Sequence, residues 1–148
     1  MSVALLDVNL LVALHDPAHP NYEEAHAWFA AQRKRGWATC PLTLNGCVRV
    51  LSNPAYPSIE ATPREVISRL RILCAAPDHH FWEDSISLLD PALFRPALIP
   101  GHRSITDLYL LSLAVTHHGK LATFDRSIPL KPAVGAEPRH VGLLGVTR

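Results

Sequence analysis

The chain has 148 residues, enough for a single domain to bury a core without disulfides or a structural metal. Apolar residues make up 48% and charged residues 18%, which excludes an intrinsically disordered chain. The formal net charge of +1 excludes a global positive field, so any nucleic-acid contact must come from a local patch.

Cys40, Cys47 and Cys74 form no CxxC pair and are odd in number. They read as reduced, mostly buried thiols, and the expected compartment is the cytoplasm. Their spacing fits no common zinc site. The first apolar run contains Asp7 and lacks a basic leader, unlike a signal peptide. No run approaches the ~18 apolar residues of a membrane span, so no membrane partner is expected.

In chain order, the run Val3 to Val8 predicts a strand buried on both faces, followed by a helix from Asn9 to about His15. Asn21 is an expected N-cap, with Glu23 and Glu24 in the first turn and Arg33, Lys34 and Arg35 in the last. Trp37 to Cys40 predicts a second strand. Thr43 opens a short helix with Leu44, Val48 and Leu51 on one side, stopped at Asn53-Pro54. Thr62-Pro63 opens another helix, with Val66, Ile67, Leu70, Leu73 and Cys74 as its apolar stripe and Glu65 and Arg69 able to pair. His80 to Trp82 is a weaker strand candidate. Ile105 to His118 predicts a helix closed by Gly119. Lys120 to Asp125 and Val141 to Leu144 complete the strands. Strands alternating with helices predict one α/β domain over residues 1–148, with a central parallel sheet covered on both faces.

Asp7 and Asp125 each end a predicted strand, and ligands of open parallel sheets bind just beyond the carboxyl ends of the strands. Asp107 falls in the first turn of the Ile105 helix. Each acid also has a local reading. Asp7 can make an Asx turn into the next helix, Ser104 and Asp107 can form a capping box, and Asp125-Arg126-Ser127 can be turn chemistry. What points to function is the combination of two strand-end acids and one helix-start acid. Carboxylates gathered around Mg²⁺ or Mn²⁺ suit metal-assisted phosphodiester hydrolysis, and crowded acids repel unless a cation joins them.

Other constellations are weaker. His79-His80 and His117-His118 are adjacent pairs that diverge, and no HExxH occurs among the nine histidines. His102, Arg103 and Arg126 adjoin the acids and are candidate phosphate contacts, with plain loop roles as the alternative. No GxSxG elbow or glycine-rich phosphate loop is present. A receiver-like phosphoacceptor lacks its acidic pair near the N-terminus and its later lysine.

The runs Leu5-Leu6-Asp7-Val8-Asn9-Leu10-Leu11, Ser104-Ile105-Thr106-Asp107-Leu108-Tyr109-Leu110 and Lys120-Leu121-Ala122-Thr123-Phe124-Asp125-Arg126 resemble PIN-domain proteins, in order and over nearly the whole chain. More closely, the sequence resembles VapC-type toxins of bacterial toxin–antitoxin pairs. The stretch Pro41-Leu42-Thr43-Leu44-Asn45-Gly46-Cys47-Val48-Arg49-Val50-Leu51-Ser52-Asn53-Pro54 is similar to one VapC subgroup. The resemblance implies an α/β/α fold and an Mg²⁺- or Mn²⁺-dependent endoribonuclease with RNA as substrate. It also implies a homodimer and a cognate antitoxin partner. Asp7, Asp107 and Asp125 match the family's acidic positions, and Asn9 and Thr123 fall beside them as supporting hydrogen-bond groups. Where the family carries a glutamate after the threonine of the middle motif, this chain has Leu44. That departure implies weaker metal binding, a metal held by fewer protein ligands, or a binding module that keeps antitoxin and RNA contacts but cuts poorly.

Overall fold

A computed structural model describes residues 2–145. The N-terminal run is fully buried on both faces only over Ala4–Leu6, and these three residues form β1. The chain leaves extended geometry one step earlier than the apolar pattern suggests, because Asp7 caps the next helix and Val8 is already helical. Helix α1 spans Val8–His15 and α2 spans Tyr22–Gln32. Asn21 stands at the N-cap position of α2 without a side-chain capping bond, and Arg33–Arg35 continue α2 as one 3-10 turn.

Strand β2 is Trp37–Thr39, and α3 is Pro41–Leu51. This helix begins two residues before the expected Thr43, because Pro41 sits in the first turn and the Thr43 hydroxyl accepts from the Cys40 amide. Helix α4 is Pro63–Cys74. Its Glu65 carboxylate turns back to the Thr62 amide at 2.8 Å, completing a capping box. The Glu65–Arg69 ion pair expected from spacing is therefore absent from the ion pairs of the described residues. Strand β3 is His79–Phe81, α5 is Ile105–Thr116, β4 is Lys120–Thr123 and β5 is Val141–Leu143. Helix α5 stops short of His118, which itself takes the left-handed conformation at φ 57°. Gly119 is required for a different reason: a Cβ there would lie 2.5 Å from the Val3 carbonyl oxygen.

The five strands are all parallel in the order β3-β2-β1-β4-β5. One core cluster joins Ala4, Leu6 and Ala122 to residues of α1, α2, α3 and α4. The other joins Leu5, Ala38 and Leu121 to α5, Trp82, Phe94 and Ala133. Alternate residues of β1 thus feed opposite layers, which gives the predicted α/β/α sandwich. From β1 the chain builds outward through β2 and β3 on one side and returns to place β4 and β5 on the other. The order reverses between β1 and β4, and the crevice beyond their carboxyl ends is where such a sheet binds ligands. Among the described residues no helix is long and apolar enough to cross a membrane.

Candidate metal centre

Asp7 follows β1 directly, and its backbone amide donates to the Ala122 carbonyl of β4 at 3.0 Å. The residue is 7% exposed, and each carboxylate oxygen accepts one hydrogen bond. Oδ1 accepts from the Val8 amide at 2.7 Å, so Asp7 is the N-cap of α1, and Oδ2 accepts from the Thr123 hydroxyl at 2.7 Å. Each oxygen keeps a second lone-pair direction for another partner. Burial raises the Asp7 carboxyl above its ordinary range, the bonds from Thr123 and Val8 oppose this, and the Asp125 charge raises it further.

Thr123 is buried, and its hydroxyl does two jobs. It donates to Asp7 and accepts from the Asp125 amide at 3.0 Å. One hydroxyl thereby ties the ends of β1 and β4 together. Asp125 in turn receives the Ser127 amide at 2.8 Å and the Ser127 hydroxyl at 2.6 Å, both on Oδ1. These bonds hold its carboxyl below the usual range. The Asp125-Arg126-Ser127 turn is real, and it leaves Oδ2 available.

Asp107 is where the local reading fails. Ser104 makes no side-chain capping bond and has helical backbone angles, so no capping box forms around Asp107. The half-buried carboxyl instead faces the other two acids. Burial, the Asp7 charge and a hydrogen bond to Asp125 push it up to about 7, and in its neutral form it donates a proton to Asp125. The three acids are coupled pairwise, as like charges in one crevice must be.

The remaining candidates lie around this core. Asn9 is exposed in the first turn of α1 and makes no side-chain hydrogen bond among the described residues. Arg103 is exposed in the 3-10 turn that leads into α5. Arg126 is exposed too, but its guanidinium donates to the Gly145 carbonyl at 2.8 Å and so anchors the end of β5. Among the described residues all three cysteines are free thiols, and burial raises each of them.

Leu44 lies in the first turn of α3, at the same sheet edge as the acids. Gly46 lets this turn press on α1, since a Cβ there would meet Val8 Cγ2 at 2.7 Å. Leu44 is half-buried and lines a groove of about 550 Å³ between α3 and α4. Val48, Ile67 and Leu70 give it an apolar lining, to which Arg49 and Arg71 also contribute. The apolar stripes of α3 and α4 were legible in the sequence, but nothing in their period shows that they leave space between them.

Among the described residues no group of three or more His, Cys, Asp or Glu side chains is arranged to hold a metal ion, so the three predicted acids do not form a ready-made ligand cage. The donor set still fits one kind of ion. All available donors are carboxylate oxygens, which suit hard cations, and Mg²⁺ is commonly bound through one or two carboxylates with water filling the other positions.

Comparison with known proteins identifies the family. The PIN domain family model matches residues 4–132. Ribonuclease VapC44 of Mycobacterium tuberculosis is 43% identical over 144 residues, covering 95% of this chain and 99% of that protein. Ribonuclease VapC39 of the same organism is 36% identical over 132 residues, covering 89% and 95%. Among solved structures, M. tuberculosis VapC20, described as a sarcin-ricin loop cleaving toxin, superposes with a TM-score of 0.63 at 12% identity, over 84% of this chain and 92% of that one. VapBC2 of Rickettsia felis, bound to a DNA fragment from its promoter, gives 0.57 at 19% identity, over 86% and 93%. At such identities the two structures speak for the fold alone, while the family match and the two sequence relatives decide membership: this chain belongs to the PIN-domain family.

Proposed function

We propose that the chain is a divalent-metal-dependent endoribonuclease, the toxin of a VapC-type toxin–antitoxin pair acting in the cytoplasm. The observation that carries this is the coupling of Asp7, Asp107 and Asp125 at the switch point of the sheet, where Asp107 is pushed up to about 7. The relatives at 36–43% identity are named ribonucleases and span most of this chain.

Asp7, Asp107 and Asp125 would hold an Mg²⁺ or Mn²⁺ ion. When bound, such an ion supplies a Lewis acid and an activated water at a scissile phosphate. The chain's own residues do the rest. Thr123 fixes the Asp7 carboxylate and the Asp125 backbone relative to each other. Ser127 fixes the rotamer of Asp125 and keeps it ionised. Asp107 must give up its proton before it can ligate, so metal affinity rises with pH toward the neutral range. Arg103, exposed before α5, would meet a phosphate there.

The cognate antitoxin is the second partner. The groove between α3 and α4 is its proposed seat, since an apolar floor flanked by Arg49 and Arg71 suits an amphipathic segment with acidic edges. A homodimer is proposed from the family resemblance. The second functional reading is a weakly cutting binding module. Leu44 carries it, because an apolar side chain occupies the first turn of α3 where a fourth carboxylate would complete the site.

Cleavage of a structured RNA in Mg²⁺ or Mn²⁺ by the wild type beside Asp7→Asn tests the proposal. Cleavage lost in the variant supports the nuclease, and equal trace cleavage in both supports the binding module.

A further inference from the structure

The turn that carries Asp125 is shaped from within by its own bonds. The Asp125 amide donates to the Thr123 hydroxyl, and the Ser127 amide and hydroxyl donate to Asp125 Oδ1. None of these bonds leaves residues 123–127. Asp125 is half-buried, and Arg126 and Ser127 are exposed, so packing alone fixes the turn weakly.

A hold from outside comes through Gly145. The Leu144 amide donates to the Thr123 carbonyl at 2.8 Å, and the chain then turns away from β4. Gly145 has φ 77°, a left-handed conformation that a side chain disfavours. A Cβ there would have room, lying 3.5 Å from Phe124 Cδ1 and 3.8 Å from Glu24 Oε1, so conformation rather than space asks for glycine. Both polar backbone groups of Gly145 then meet other elements. Its amide donates to Glu24 Oε2 on α2 at 2.7 Å, a bond between residues 121 apart in sequence. Its carbonyl accepts from the Arg126 guanidinium at 2.8 Å. Glu24, Gly145 and Arg126 therefore form one run of bonds from α2, over the end of β5, to the residue next to Asp125. In the sequence Glu24 is an acid in the first turn of α2, suited to the helix dipole. Glu23 shares that first turn and is exposed.

We propose that Glu24 is a positioning residue of the acidic crevice: through the Gly145 amide and the Arg126 guanidinium it ties the Asp125 turn to α2, and so fixes where the Asp125 carboxylate points. Glu24 touches no reacting group in this role. Its bond to the Gly145 amide is charge-assisted and stronger than a bond between neutral groups. Removing a group that orients a metal ligand typically weakens metal binding by ~10–100-fold. The consequence for metal binding rests on the shared-cation reading above, whereas the hold on the turn does not.

Amide hydrogen exchange in EDTA reads the turn without metal. Glu24→Ala should speed exchange at the Asp125 and Ser127 amides and leave the Leu5 and Leu6 amides of β1 at wild-type rates. Arg126→Met, at an exposed position, should do the same. Calorimetric titration of Mn²⁺ into the RNA-free protein reads the site, where Glu24→Ala should bind about tenfold more weakly. Glu24→Gln keeps an oxygen for the Gly145 amide and should stay near wild type. Glu23→Ala, which removes a charge from the same turn of α2, should also stay there. Glu24→Ala/Arg126→Met should lose no more affinity than Glu24→Ala alone, because both changes break one clasp. Wild-type exchange at Asp125 and Ser127 in Glu24→Ala and Arg126→Met overturns the proposal. A Glu24→Gln variant as weak as Glu24→Ala also overturns it, by making Glu24 a source of charge, and additive losses in the double variant do so too. A wild type that binds no Mn²⁺ overturns the shared-cation reading instead, and exchange at the two amides still decides the clasp.

Discussion

Replacing Asp107 with asparagine should make the metal-free protein more stable at alkaline pH, although it damages the proposed active site. Asp107 titrates near 7 in the fold against an ordinary value of 3.8, raised first by burial and then by Asp7 and Asp125. The folded state therefore holds this proton longer than the unfolded chain does. Between about pH 4 and 7 the unfolded chain ionises first, so stability falls as pH rises through that window, and above it the penalty is complete. At 1.36 kcal/mol per unit the shift has a ceiling of roughly 4 kcal/mol; the crevice is partly open to water, so on the order of 2 kcal/mol is expected. For a chain of this size that is about 4–8 °C in Tm. Asp107→Asn and wild type should melt together at pH 4 in EDTA and separate progressively toward pH 8, with the variant higher. Adding Mg²⁺ or Mn²⁺ at pH 8 should raise the wild type and leave the variant nearly unmoved. A variant less stable than wild type at pH 8 in EDTA, or a difference that does not change with pH, would refute the coupling of the three acids.

Three other substitutions follow from the same geometry. Thr123→Val removes the hydroxyl that bonds Asp7 and the Asp125 amide, and should cost about 1–3 kcal/mol in urea unfolding and lower RNA cleavage. Leu44→Glu should raise Mn²⁺ affinity by about tenfold in a calorimetric titration and increase cleavage, since it adds a carboxylate at the edge where the acids gather; no gain would count against the defect ascribed to Leu44. Asp16 is buried and receives the Tyr56 hydroxyl at 2.5 Å, the Ala18 amide at 2.9 Å and the Ser58 hydroxyl at 3.0 Å, so Asp16→Ala should cost about 1–3 kcal/mol by stranding those donors. Burial raises its carboxyl, but the three donors outweigh this and hold it below the ordinary range, so the contribution is present above the ordinary carboxyl range and is lost as pH falls through the lower folded value, which an acid titration of wild type and variant would show.

The sheet was legible because its strands are short apolar runs that stand out from the helical period, and because strand–helix alternation leaves few alternatives to a parallel arrangement. Asp7 and Asp125 were legible for the same reason, as acids that end buried strands. Asp107 was ambiguous, since a Ser-x-x-Asp sequence at a helix start serves capping as well as chemistry. The backbone angles of Ser104, which makes no capping bond, set the capping reading aside. The Glu65–Arg69 spacing misled because a capping box claims the same carboxylate, and local bonds to backbone win over an exposed ion pair. The groove between α3 and α4 and the clasp of Asp16 by Tyr56 and Ser58 join residues distant in sequence, and no periodicity reports on such contacts. The Leu44 departure was visible at once, whereas its place in the lining of the groove was not.

The central claim is that three acids distant in sequence share one cation. Calorimetric titration of Mn²⁺ into the RNA-free protein at pH 8 tests it most directly, comparing wild type with Asp7→Asn, Asp107→Asn and Asp125→Asn. One strong site in the wild type, weakened by each of the three substitutions, is the predicted result. Equal affinity in the wild type and any one of these variants, with its fold intact, would contradict the shared site.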